Sequence, residues 1–258
     1  MNVAEYKRPT MADLVQQFAS LNLNSQSLHL VIVASTFMRD GFECVIGWSI
    51  ENNKLIRPVT NLAGNSWILR TFTVGCTYQF VIFDSNPSDA TYPHKSEDII
   101  VGATPVLLVS TVPIQGALAV PVNTESQMYN MLFGSSVSLV INVFAPGVIH
   151  EGKYIIEGTE CPSVGILQCN LGDIMMFKNP FKMSAMRCRI EISDQVFVFP
   201  VTAQNQGALL KSLNERPANT PVLVLLGLAR PFAGTGVNVY NPRRCYILVI
   251  GVIMQDGG

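Results

Sequence analysis

Residues 28–59 read LHLVIVASTFMRDGFECVIGWSIENNKLIRPV, and their rhythm decides the fold. Leu28 to Val33 is apolar and rich in β-branched residues, the composition of a strand. Met38-Arg39-Asp40-Gly41 carries an Asp-Gly turn signal, and Phe42 to Ile50 reads as a second strand. Glu51-Asn52-Asn53-Lys54 is a polar turn, after which Leu55-Ile56-Arg57 opens a third strand. Strands joined by such short turns pair as antiparallel neighbours. Pro58 lacks an amide donor and so marks a strand end or an edge. His29, alone in an apolar run, reads as a structural histidine.

The same texture continues downstream. Thr71 to Phe83 supplies more strand with a bend at Gly75, residues 84–98 form a polar loop, and Ile99 to Val109 closes the first half. A stretch bracketed by Pro113 and Pro121 leads to a helix over Glu125 to Phe133, a strand over Val137 to Phe144 and a stop at Pro146-Gly147. The second half offers strands at Lys153–Ile156, Val164–Leu167, Asp173–Phe177, Arg187–Ile192, Val196–Pro200, Val222–Leu228 and Cys245–Met254. Its helix is Ala208 to Glu215, and Gly234-Thr235-Gly236 reads as loop. Upstream, Thr10 and Asp13 make a capping box before Leu14, Val15, Phe18 and Leu21, which share one face of a short helix. That stripe either packs on the body or docks a partner. Short, regularly spaced strands with 19 Gly and 15 Pro predict an all-β chain, mainly β with a few short helices, folded as two small β-barrels in tandem. The expected division is an arm at 1–27, a first barrel at 28–112, a connecting region at 113–150 and a second barrel at 151–258.

Composition excludes several classes. The chain has 258 residues, 48% apolar and only 14% charged, so it is not a disordered chain. Its formal net charge of −1 argues against an indiscriminate, strongly basic nucleic-acid binder. Mean hydropathy is +0.31. The longest apolar runs, such as Val222 to Ala229 and Tyr246 to Met254, fall far short of the roughly 20 residues that a spanning helix needs, so no membrane is expected. The opening MNVAEYKRPT lacks the basic start and apolar core of a secretory signal. The six cysteines show no metal-knuckle spacing, and several sit in apolar runs. A reduced, cytoplasmic protein without metal or cofactor is the expectation.

The order of these pieces resembles the family of dual OB-containing domains, two oligonucleotide/oligosaccharide-binding-type barrels in one bacterial chain. Val31-Ile32-Val33-Ala34-Ser35 looks like the family's first strand, and Gly41 to Gly47 like its Gly-x-x-Cys-(Ile/Val)-x-Gly second strand. Lys54-Leu55-Ile56-Arg57-Pro58-Val59 is similar to its Trp-Ile-Arg-Pro-Val element, with Leu55 in place of Trp, and Pro93 to Asp98 looks like the approach to its Glu-Asn/Asp position. In the second half Phe199-Pro200-Val201-Thr202, Leu225 to Phe232 and Cys245-Tyr246-Ile247-Leu248-Val249 resemble further family steps. There Ala203 replaces an expected Asp, and the closing strand lacks its Lys. The resemblance spans about residues 29–102 and 160–253. It implies a non-enzymatic binding module, a subunit of a larger bacterial assembly that takes single-stranded or guide-like nucleic acid.

Such barrels stack bases on aromatics and meet the backbone with Lys and Arg. In the first half Trp48, Lys54, Arg57, Trp67, Arg70 and Phe72 cluster across the second to fourth strands. Each of these aromatics reads more readily as core, and Arg57 is a candidate cap for a buried carboxylate. Residues 130–258 hold ten Lys and Arg against eight Asp and Glu. Arg243-Arg244 beside Phe232 and Tyr240, with Arg230 near, is the best basic patch, preceded by Lys178, Lys182, Arg187 and Arg189. Nothing marks an enzyme: no nucleophile elbow, phosphate loop or His-Glu-x-x-His helix is present. His94, beside Lys95, Glu97 and Asp98, reads as part of a solvated loop. The alternatives are a scaffold that binds a protein partner without nucleic acid, through Leu14, Phe18 and Leu21 and the apolar Val112 to Val122, or a self-assembling β-rich homo-oligomer.

Overall fold

The computed structural model describes residues 27–37, 42–49, 51–60, 67–68, 72–85, 91–102, 105–108, 110–114, 117–119, 125–133, 148–149, 154–180, 182–192, 195–203, 206–236 and 238–255. The helix expected at 10–21 with Leu14, Phe18 and Leu21, the Asp40-Gly41 turn, Arg70 and the strand expected at 137–144 lie outside these residues.

The chain is all-β with two short α-helices among the described residues, and its first half closes into a five-stranded barrel. The strands are β1 (Ser27–Phe37), β2 (Phe42–Ser49), β3 (Lys54–Val59), the two-residue β4 (Trp67–Ile68), β5 (Thr77–Asp84), β6 (Asp98–Val101) and β7 (Val106–Leu108). Pairing runs β1–β2–β3–β6–β5 and returns from β5 to β1. Only β3 and β6 are parallel. This is the strand circuit of an OB-type barrel. Closure depends on β1, where Ser27 to Val31 pair β5, Leu30 to Phe37 pair β2, and Leu30 and Val31 serve both. A register shift between Ile32 and Ala34 bends the strand so that it serves both ladders. Glycine is required where the strands approach most closely, because a Cβ on Gly47 would lie 2.6 Å from that of Leu30.

Pro58 is not at an edge: it pairs with Ile99 inside the barrel wall. The Arg57 N–H donates to the Glu97 carbonyl (2.8 Å), so position 58 faces the opposite side, where the β2 ladder has already ended at Ile56. The missing donor therefore removes no ladder hydrogen bond. The turn at 51–53 forms as the sequence indicates, with Asn53 left-handed at φ 50° and Ser49 Oγ accepting from the Asn52 amide.

The connecting region carries the small β8–β9 sheet (Ser110–Ile114, Ala117–Ala119), α1 (Glu125–Phe133) and β10 (Val148–Ile149). The second half follows with β11 (Tyr154–Ile156), β12 (Val164–Asn170), β13 (Ile174–Asn179), β14 (Lys182–Ile192), β15 (Gln195–Val201), α2 (Gln206–Glu215), β16 (Pro221–Leu228), β17 (Phe232–Thr235) and β18 (Asn238–Met254). Pairing runs β12–β16–β18–β15–β14–β13, and a 3-10 turn at Leu171–Asp173 links β13 back to β12. The β15–β18 contact is parallel. The residues expected to form a loop at 234–236 instead belong to a β17–β18 hairpin, with Gly234 and Gly236 at positive φ.

Three apolar clusters hold these elements. Leu28, Leu30, Ile32, Val45, Ile56 and Phe80 fill the first barrel. Cys188, Ile190, Phe199, Val224, Leu226 and Val249, with Leu209 of α2, fill the interior of the second half. The third lies between the halves: Val31, Val33, Ile46, Trp48 and Leu55 from the outer wall of the first barrel meet Val164, Ile166, Leu223, Leu225 and Ile250, with Met128, Tyr129 and Leu132 of α1. Leu30–Ala34 of β1 and Val222–Leu228 of β16 are thus buried on both faces, the reason those stretches are apolar runs. All six cysteines are free thiols. Among the described residues no helix is long and apolar enough to cross a membrane.

Candidate nucleic-acid interface

An OB-type barrel offers ligands the outer face of its second and third strands together with neighbouring loops. In the first half that face is covered. Trp48 is 2% exposed within the cluster between the halves, and Phe72 lies inside the barrel against Tyr78 and Phe80. Arg57 is 3% exposed and faces the seam between the halves, which removes it as a phosphate contact. Lys54 remains exposed at the start of β3, and the Trp67 backbone pairs with Glu43 in β4.

Arg57 instead organises a buried polar cluster across the seam. Its Nη1 donates to Asp98 Oδ1 (3.2 Å) and its Nη2 to Ser163 Oγ (2.8 Å). The Ser163 amide and hydroxyl both donate to Glu97 Oε2, at 3.0 and 2.7 Å. Arg230 Nη1 donates to the other Asp98 oxygen (2.7 Å). His94, expected in a solvated loop, is buried with Nε2 at 3.1 Å from the Leu228 carbonyl. A carbonyl only accepts, so Nε2 carries the hydrogen and Nδ1, which has no partner, is the bare nitrogen. Burial, then the charges of Arg57 and Arg230, push the His94 pKa down to about 2. Burial pushes the Glu97 carboxyl up. Nothing in the spacing of Arg57, Glu97, Asp98, Ser163 and Arg230 revealed this cluster; the sequence signal was charge embedded between apolar segments, which suits a buried cap. His29, read as structural, is half-exposed and pairs with Glu51 at 2.5 Å.

In the second half the corresponding face is open. Along β14 Cys188 and Ile190 point inward, so Arg187, Arg189 and Glu191 point out. Phe177 of β13 and Pro200 of β15 flank Arg187 in register, while Met175 and Val198 flank Arg189. Met175 is 56% exposed and Val196, opposite Glu191, is 51% exposed. Arg189 pairs with Glu191 (2.7 Å), whereas Arg187 has no carboxylate partner among the described residues. An aromatic, two arginines and apolar neighbours therefore share one three-stranded surface.

The β17–β18 hairpin gathers part of the other patch. The Arg244 guanidinium lies over Tyr240 (3.7 Å to the ring centroid) and Tyr154 (4.4 Å), and Phe232 meets Tyr240 edge-on at 6.4 Å. Arg243 points away into a two-pronged pair with Glu157, which neutralises it. Arg230 belongs to the seam and not to this patch. The residue pair 243–244 thus divides between two faces, as alternate strand positions must.

No known family model matches the chain, and no curated protein matches it. The candidate surface therefore stands on its own chemistry. It offers stacking and ion pairing, and among the described residues no histidine lies on it. His94, the nearest thing to a general base, has its N–H committed to a carbonyl and its other nitrogen buried.

Proposed function

We propose that the chain is a non-enzymatic binding module of the dual OB type, a cytoplasmic subunit of a larger bacterial assembly, that takes single-stranded nucleic acid on its second half. One observation supports this reading above others: the outer face used by such barrels is buried in the first half but open in the second, where Phe177, Arg187 and Arg189 line it. Phe177 offers a stacking platform, Arg187 a cation with no carboxylate partner among the described residues, and Arg244 with Tyr240 a second contact on the hairpin. Membership of the dual OB family rests on the same footing, supported by the strand circuit of the first half and its echo in the second.

The test is a titration of a labelled single strand by fluorescence anisotropy at two salt concentrations. Single-strand affinity falls with salt by about 0.7 log units per log unit for each phosphate neutralised, so two or three contacts give a slope of about −1.4 to −2.1. Phe177→Ala should weaken binding by about 1–3 kcal/mol, the contribution of one stacked base. Binding without salt dependence overturns the reading. Absence of binding at micromolar protein favours the second one, a protein-interaction scaffold, for which exposed Met175 and Val196 on this face and Phe232 and Val239 on the hairpin are the specific support.

A further inference from the structure

The seam between the halves also holds a half-open cavity of about 190 Å³. Its walls are mainly apolar, with Phe37 and Ile46 from the first half and Leu228, Leu248 and Ile250 from the second, yet Arg57 and Arg230 line it too. Main chain bridges the halves at one side, where the Phe37 N–H donates to the Thr202 carbonyl (3.2 Å) and Thr36 pairs with Ala203.

The guanidinium donors around this cavity are not all met. Asp98 gives one oxygen to Arg57 and the other to Arg230. Glu97 Oε2 is turned onto the Ser163 amide and hydroxyl. Two guanidiniums therefore hydrogen-bond to the same carboxylate, that of Asp98. Arg57 completes its contacts with Ser163, but Arg230 Nη2 is buried with no partner at all. A charged donor left unmet in an apolar setting is costly, and an anion relieves it.

We propose that this cavity binds a small free carboxylic acid with a short apolar chain, its carboxylate held by Arg230 and its chain lying among Ile46, Leu228, Leu248 and Ile250. A cavity of about 150 Å³ accommodates benzene, so this one suits on the order of six to nine heavy atoms. The site is independent of the nucleic-acid surface, being formed at the seam and not on the β13–β15 face.

Methyl-labelled full-length protein titrated with sodium hexanoate tests the assignment. Expected are saturable shifts of the Ile46, Leu228 and Ile250 methyls, with affinity about tenfold or more weaker for hexanol, for hexylamine and for hexanoate on Arg230→Gln. Unmoved methyls, equal affinity for hexanol, or an unaltered response in a folded Arg230→Gln each overturn it. If that variant fails to fold, the comparison of hexanoate with hexanol on the unsubstituted protein decides. Binding of N-acetyl-glycyl-leucine about tenfold tighter than hexanoate overturns the free-acid assignment in favour of a chain terminus.

Discussion

His94 shows how far burial moves a residue from its ordinary chemistry. Unfolded, its pKa is near 6.5; folded, it is pushed down to about 2. Only the unfolded state takes up this proton across that window, so His94 supports the fold fully above pH 6.5 and that support is lost as pH falls. Between pH 7 and pH 5 the loss is about 2 kcal/mol. Glu97, raised by burial, works in the opposite sense near its own range. Urea denaturation at both pH values should therefore show His94→Gln losing about 2 kcal/mol less than the unsubstituted protein; equal losses would refute the assignment. None of this was legible in Pro93-His94-Lys95-Ser96-Glu97-Asp98, which has the look of a wetted loop. Its burial comes from partners more than sixty residues away, the Ser163 amide and the Leu228 carbonyl. Arg57 was half legible: the sequence admitted a cap on a buried carboxylate, and geometry chose that option with Asp98.

Among the elements, β1 and β2 were the most readable, because an apolar run ending in a turn signal leaves few choices. The run 222–228 likewise became β16. What failed was β18, which begins at Asn238 and not Cys245. Its first residues are polar because they form a hairpin with β17 in solvent, and a strand with no apolar face gives no periodic signal. The β1–β2 ladder carries its own prediction. Gly47→Ala forces a methyl group to within 2.6 Å of the Leu30 Cβ in the barrel wall, and relief by backbone shift should cost about 1–3 kcal/mol. Thermal denaturation measures it. Gly207→Ala, in α2 where a Cβ meets nothing within 4 Å, is the control and should leave the midpoint unchanged or slightly raised.

At the level of the whole molecule, two halves built on similar strand circuits are used differently. The apolar run that became β16 did not say what covers it, since such a run is the same whichever neighbour buries it. Candidate ligand residues therefore lay in both halves, and the structure removed Trp48, Arg57 and Phe72 of the first, where Trp48 anchors the packing between halves. Trp48→Ala should cost about 3–5 kcal/mol. Because Trp48 touches a cluster drawn from both halves, denaturation followed by circular dichroism should remain a single transition in the unsubstituted protein. Two separated transitions there would show that the shared cluster does not couple the halves.

The contact between the end of β1 and the chain just past β15 has a consequence for behaviour at high concentration. The free side of Thr36 and Phe37 meets Thr202 and Ala203, through the Phe37 N–H to the Thr202 carbonyl and the Thr36–Ala203 bridge. Bare strand edges recruit further molecules into growing assemblies. By satisfying one another within a single chain, these two ends withdraw a template for such growth without needing a lysine or a proline to guard it.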